Sequence, residues 1–156
     1  MSEEWALTSY CGLYCRDCIP SKKDLYATVV KLAEMLPDVQ FEKYAEMKAN
    51  QTNWSKTNEA FKYYPRFMDV LQAIRGLECP ATCREGGGYK QGDCAVRKCA
   101  VDKKIAGCWE CPEHTNCKLL EPLFKIHPNL PYHLDLIKLE GVENWAKHRR
   151  GHYYWQ

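Results

Sequence analysis

A mainly α fold, a small helical domain with a cysteine-rich, metal-stapled loop region, is what three features of this 156-residue sequence predict. Apolar residues recur at helical spacing through most of the chain, with cap and breaker residues at the ends of the runs. The ten cysteines fall into two clusters, at 11–18 and 79–117, with none in the stretch between. Hydrophobic residues make up 46% of the chain, enough for one core at this length, although so small a chain benefits from staples. We read residues 1–156 as a single helical domain.

Charge and composition exclude several function classes. A net charge of +2 is too balanced to announce nucleic acid or an anionic membrane surface as partner. The acidic start Met-Ser-Glu-Glu-Trp is followed by no apolar run of signal-peptide length, and no membrane-spanning apolar stretch occurs, so a cytoplasmic location without membrane association is expected. In a reducing compartment thiols stay reduced, which favours metal ligation over five disulfides.

Taken in order, Ser21 with Asp24 three residues on reads as a helix start, and Leu25, Val29, Leu32 and Leu36 form one stripe ended by Pro37. A second helix is expected from Asp38 to about Asn50, with Phe41, Tyr44, Ala45 and Lys48 on one side. Residues 51–57 read as a loop. A third helical stretch over Asn58–Arg75 carries Phe61, Tyr64, Met68 and Leu71, is restarted at Pro65 and is capped by Gly76. Its aromatics Phe61, Tyr63, Tyr64 and Phe67 are better read as core than as a base-stacking surface. Asp93 is expected to cap a helix over Cys94–Ile105 closed by Gly107, and Asn116 a helix carrying Leu119, Leu120, Leu123 and Phe124. That assignment puts Cys117 in a first helical turn, where the dipole favours thiolate. Asn129 and Pro131 open a further helix with Leu130, Leu134 and Ile137, ended by Gly141. The basic, aromatic C-terminus is expected to pack Trp145 and Trp155 on the core, rather than to touch nucleic acid.

All ten cysteines, Cys11, Cys15, Cys18, Cys79, Cys83, Cys94, Cys99, Cys108, Cys111 and Cys117, are candidate metal ligands. Cys11-Gly-Leu-Tyr-Cys15-Arg-Asp-Cys18 is a C-x3-C-x2-C spacing in which Gly12 permits the tight turn. Cys79-Pro-Ala-Thr-Cys83 is a second knuckle. The run Arg84 to Gly92 reads as a turn, because its glycines lack the G-K-[ST] of a phosphate loop. Cys94 and Cys99 sit five apart on a helix, so they point to different sides and serve different sites. Cys99, Cys108, Cys111 and Cys117 make C-x8-C-x2-C-x5-C, the most specific local signal, since a C-x2-C pair presents two thiolates to one tetrahedral ion. Around them Arg97, Lys98, Lys103, Lys104 and Lys118 outnumber Asp102, Glu110 and Glu113 by two, matching the excess charge of a four-thiolate zinc site. His114 reads as a surface-loop residue rather than a ligand.

These motifs together resemble a family of small cysteine-rich proteins, the domain of unknown function numbered 3795. The resemblance rests on Cys-Gly-Leu-Tyr-Cys-Arg-Asp-Cys at 11–18, Cys-Ala-Val-Arg-Lys-Cys-Ala at 94–100, Cys-Trp-Glu-Cys-Pro at 108–112 with Cys117, and Glu-Gly-Val-Glu-Asn-Trp at 140–145. It implies zinc binding by Cys11, Cys15, Cys18, Cys94, Cys99, Cys108, Cys111 and Cys117. One departure is the middle knuckle, which family members write Cys-Pro-Gly-Cys and this chain extends by one residue. The resemblance brings no activity.

Two four-cysteine sites with two thiols left over fit the count: Cys99, Cys108, Cys111 and Cys117 in one, and Cys11, Cys15 and Cys18 with Cys79 or Cys83 in the other. The functional expectation is a zinc-binding protein with structural metal, acting as a binding or adaptor module for a protein partner. The alternative is an iron-sulfur cluster for electron transfer or radical chemistry, since spacing alone separates zinc from iron poorly. No catalytic constellation is recognised: H-E-x-x-H is absent, and so is the H-x-E with P-C-x-x-C of zinc deaminases.

Overall fold

The computed structural model describes residues 2–51, 56–88 and 93–156. Among them the fold is mainly α, as the sequence predicts: α1 (Glu3–Leu7), α2 (Lys23–Asp38), α3 (Phe41–Ala49), α4 (Tyr64–Arg75), α5 (Ala95–Asp102), α6 (Glu121–Ile126) and α7 (Leu130–Glu140), joined by short 3₁₀ turns. The one β-type pairing in the described residues is an isolated bridge between Thr8 and Tyr14. Two compact units result. The first combines Met1–Ser21 with Cys79–Gln156 and holds every cysteine, and the second is Lys22–Glu78.

In the second unit α2 buries Tyr26, Val29 and Ala33, while Leu25 and Leu32 of the expected stripe face outward. The apolar arc of this helix is wider than one stripe, and the core takes the side that carries the small Ala33. Pro37 stays inside the last turn, and the helix runs on to Asp38. Gln40 then adopts a left-handed conformation, φ +53°, so α3 starts at Phe41 rather than at Asp38. Ala45 is buried beneath a cluster in which the Phe41 ring lies 5.4 Å from that of Tyr64 and 6.2 Å from that of Phe61. Most of the loop expected over 51–57 falls outside the described residues. A 3₁₀ segment over Lys56–Tyr63 leads into α4, which restarts at Tyr64 with Pro65 in its first turn, where a missing N–H costs nothing. Tyr64 and Leu71 are buried and Met68 half-buried, whereas Tyr63 and Phe67 are exposed. Val29, Ala33 and Leu71 pack α2 and α4 together, and Lys23 at the start of α2 pairs with Glu78 beyond the end of α4 at 3.0 Å, as an antiparallel pair requires.

The first unit is built on α7, whose Leu134, Leu136 and Ile137 pack with Tyr14, Trp109, Leu120 and Trp145. Gly12, at φ +86°, presses its backbone on this helix so closely that a Cβ there would stand 2.7 Å from Leu134 Cδ2. Trp145 is fully buried; its Nε1–H donates to Thr8 Oγ1 at 3.0 Å, and Thr8 Oγ1 donates onward to the Glu4 carbonyl at 2.7 Å. The C-terminal expectation holds for Trp145, which packs in the core, and fails for Trp155. Trp145 begins a single 3₁₀ turn, Trp145–His148, and Trp155 is exposed, stacked on Tyr153 at 4.4 Å.

Arg84 ties the two parts of this unit together. Its Nε–H is shared between the Trp5 carbonyl at 2.9 Å and the Thr8 carbonyl at 2.8 Å, and an Nη2–H donates to the Ala106 carbonyl at 3.0 Å. The guanidinium lies over the rings of Trp5 at 3.8 Å and Tyr10 at 4.6 Å. Arg84→Ala leaves these carbonyls without their donor, at a cost of about 3 kcal/mol for a half-buried charged donor. A melting experiment should therefore show Tm falling by roughly 6–12 °C in a chain of this size, with Arg84→Lys recovering only part. An unchanged Tm for the alanine variant would mean that water replaces the guanidinium.

Buried His133 supplies a pH signature. Burial pushes its pKa down to about 4, and Nε2 accepts the Arg150 N–H at 3.0 Å, an arrangement that needs the neutral ring. The unfolded chain binds this proton near pH 6.5, so the stability His133 contributes is complete above that value and is lost as pH falls towards 4. Urea midpoints measured from pH 7 to 4.5 should decline, and His133→Gln, which keeps an acceptor for Arg150, should flatten that decline.

Candidate metal centre

Both C-x2-C pairs are set by the same local device. The Cys18 N–H donates to the Cys15 carbonyl at 3.1 Å and the Cys111 N–H to the Cys108 carbonyl at 3.0 Å, closing 3₁₀ turns in which positions three apart lie above one another. The pattern continues past Cys111: His114 N–H reaches the Cys111 carbonyl at 3.3 Å and Cys117 N–H the His114 carbonyl at 3.4 Å. Cys117 therefore stands at the end of a 3₁₀ turn, in extended conformation, and α6 begins only at Glu121. The first-turn position expected for Cys117, and the dipole effect with it, is not present. Gly107 is the second glycine the fold needs. Trp109 folds over its backbone, and a Cβ there would lie 2.1 Å from the ring.

Helix α5 separates two thiol environments. It starts at Ala95 with Cys94 at the N-cap, without the side-chain cap expected from Asp93, and is closed by Lys104 at φ +54° rather than by Gly107. Cys94 is near Cys11 and Cys83, whereas Cys99 faces Cys108 and Lys103, so the two cysteines serve different sides as the spacing predicts.

Cys99, Cys108, Cys111 and Cys117 all line one cavity of about 510 Å³, together with Lys103 and His114. Burial pushes the Cys108 thiol up to about 12, and the neighbouring thiols of Cys11, Cys117, Cys111 and Cys99 add to the rise. Lys103 Nζ lies 3.6 Å from Cys111 Sγ and 3.4 Å from Glu113 Oε2, and Cys111 is the main cause of its raised pKa. His114 is not the surface-loop residue the sequence suggests. It is buried, with Nδ1 against the Cys111 carbonyl at 2.8 Å and Nε2 against Asp135 Oδ1 at 3.1 Å. Both ring nitrogens thus brace the knuckle, and neither points a lone pair at the thiols.

A second group gathers around Cys15. Burial raises its pKa, a hydrogen bond from the Cys83 backbone opposes this, and the thiols of Cys83, Cys18 and Cys79 raise it further. Cys79 is fixed by its N–H on the Pro20 carbonyl at 2.8 Å, and its sulfur accepts from the Gly88 N–H at 3.0 Å. Arg97 steadies the other knuckle residue, donating to the Cys83 and Gly87 carbonyls at 2.9 Å each. Ser21, expected to cap α2, instead turns its hydroxyl back onto the Cys15 and Cys18 carbonyls, and α2 opens without a side-chain cap. Residues 89–92 of the glycine-rich turn lie outside the described residues. Cys11 stands apart from Cys15 and Cys18. Its thiol, pushed up to about 11 by burial, pairs with Ser9 Oγ at 3.0 Å and has Cys83 and Cys94 nearby.

None of the ten cysteines is joined in a disulfide. Among the described residues no three His, Cys, Asp or Glu side chains stand close enough together to hold a metal ion as placed. The donor chemistry nonetheless suits a soft cation: four thiols line one cavity, and a coordinating metal deprotonates thiols outright. Sequence reasoning missed Arg84 and took Arg97 only as a balancing charge, because their carbonyl contacts leave no spacing pattern to find.

The described residues include no helix long and apolar enough to cross a membrane. No curated protein and no solved structure matches the chain. Residues 7–122, which contain every cysteine, match the model of the family described as protein of unknown function (DUF3795), and the chain belongs to that family.

Proposed function

We propose that this chain is a zinc-binding module whose metal is structural, with Cys99, Cys108, Cys111 and Cys117 holding one ion and Cys15, Cys18, Cys79 and Cys83 a second. The observation that carries the reading is the convergence of Cys99, Cys108, Cys111 and Cys117 on a single cavity, with Lys103 at 3.6 Å from Cys111 Sγ to balance thiolate charge. Ligation of a structural metal is coupled to folding of the loops that carry the ligands. Cys11 and Cys94 are the two thiols left over, and they serve packing. Four-thiolate sites leave no open coordination position, so the metal supplies folding free energy rather than Lewis-acid chemistry. The module then works by binding a protein partner in the cytoplasm. A second reading, an iron-sulfur cluster held by Cys99, Cys108, Cys111 and Cys117, is favoured by the roominess of their cavity, about 510 Å³.

Metal analysis of anaerobically purified protein separates the two readings. About two zinc ions per chain and no visible absorption are expected, and iron with matching sulfide would establish the cluster instead. Cys111→Ser should reduce the zinc content by about one ion and lower Tm, and zinc retained at the wild-type level would remove Cys111 from the ligands. Stripping the metal with a chelator at neutral pH should melt the first unit in circular dichroism. Full helicity after confirmed metal loss would overturn the structural role.

A further inference from the structure

We propose that residues 149–153 clamp the knuckle of Cys15 and Cys18, and that Tyr153 is a positioning residue which sets how tightly Cys18 holds its ion. The inference deepens the reading above and rests on it, since it concerns the site assigned to Cys15, Cys18, Cys79 and Cys83. Three contacts converge on Cys18 and its two chain neighbours. Before it, Arg149 grips both carboxylate oxygens of Asp17, with Nε–H on Oδ2 and Nη2–H on Oδ1 at 3.0 Å. After it, the Ile19 N–H donates to the Tyr153 hydroxyl oxygen at 3.0 Å. At Cys18 itself the Tyr153 hydroxyl donates to Sγ at 3.8 Å.

The direction of each bond follows from what the groups carry. A backbone N–H uses the phenol oxygen as acceptor, so the phenol's single proton is the one offered to sulfur. Once Cys18 binds a metal its sulfur is a thiolate, and this bond becomes charge-assisted, shorter and stronger. Outer hydrogen bonds of this kind orient a ligand and govern metal affinity by about 10–100-fold. The clamp forms no helix of its own and is held by single contacts to α6, α7 and the turn between them. Arg150 N–H bonds His133 Nε2 at 3.0 Å, Asn129 Nδ2–H the Gly151 carbonyl at 3.0 Å, and His127 Nδ1–H the His152 carbonyl at 2.5 Å. The next residue, Tyr154, donates its N–H to the Ile126 carbonyl at 2.9 Å. Tyr153 is buried, with its ring 5.1 Å from that of His127, which leaves its hydroxyl little freedom to swing away from Cys18. The Arg149 and Asp17 side chains are 33% and 23% exposed, so their two-pronged pair is shielded from water on the other flank.

Zinc release from the full chain to a competing chelator, followed in time, tests this, with Cys15→Ser identifying the phase that belongs to the clamped site by removing it. Tyr153→Phe keeps the ring and deletes the hydroxyl. It should speed that phase about tenfold and leave release from the Cys111 site unchanged. With cobalt in place of zinc, the same variant should shift the thiolate-to-metal charge-transfer band, a signature that looser packing alone does not produce. Arg149→Ala should speed the same phase, and Arg149→Lys should recover only part, because lysine cannot grip both oxygens of Asp17. Unchanged release of the Cys15 ion from Tyr153→Phe would overturn the clamp and leave the two-site reading standing. Equal acceleration of both ions would overturn it too, as a general loosening of the unit. A zinc content unaffected by Cys15→Ser would remove the metal reading of this site, and the clamp with it.

Discussion

The first unit depends on one interior cation. Residues 2–21 and 79–156 are separated by a cysteine-free stretch, and the side chain that draws them together is Arg84, donating to the Trp5 and Thr8 carbonyls at the C-terminal end of α1 and to the Ala106 carbonyl beyond α5. Arginine suits this place because its planar fork can serve several acceptors while stacking on Trp5, and because it keeps its charge when half-buried. Burial is the main influence on Arg84, lowering its pKa, and the nearby Cys83 and Cys15 oppose that loss. The residue that pins the N-terminus to the centre thus also sets the electrostatic field in which the Cys15 group sits. Thr82 and Glu85, which cap the same turn reciprocally, hold it in position.

The two thiol groups solve the same charge problem with different means. Around Cys15 the compensation comes from arginines: Arg97 and Arg84 both pull the Cys83 pKa down against a dominant burial effect. Around Cys108 the neighbours are other thiols, every one of which pushes its pKa further up, and the nearest cation is Lys103 beside Cys111. Of these four cysteines only Cys108 is buried, and Lys103 and Lys118 also line the cavity.

Most of the helical framework was legible in the sequence, because amphipathic period and proline or glycine punctuation are local signals. Pro65, Pro131 and Gly141 mark α4 and α7 correctly, and the stripes Tyr64, Met68, Leu71 and Leu130, Leu134, Ile137 point inward. The errors concentrate where cap residues have a second use. Ser21 bonds the cysteine loop instead of capping α2, and Asn116 closes a 3₁₀ turn instead of opening α6. A polar side chain near a helix start is a cap only if nothing closer in space competes for it. The same limit hid His114 and Arg84, whose partners Asp135, Trp5 and Thr8 are 21 or more residues away in sequence. For the site, spacing grouped Cys99, Cys108, Cys111 and Cys117, and these four line one cavity, three of them on one run of turns. It could not decide the neighbours of Cys11, because that is fixed by how the loop over Gly12 lies on α7.

The division of the chain into two units changes how its stability should be understood. Every thiol lies in the first unit, so any metal supports that unit alone. The second has fewer than sixty residues, no cysteine, and a small core in which Val29, Ala33 and Leu71 cluster and Tyr26, Ala45 and Tyr64 are also buried. A domain of that size buries only about 60% of its unfolded surface and is marginal without staples. Its apolar excess on α2 and α4 is a liability while exposed and a source of stability once covered. The two units thus differ in what they carry beside a small core: every cysteine lies in the first, and an exposed apolar face on α2 and α4 marks the second.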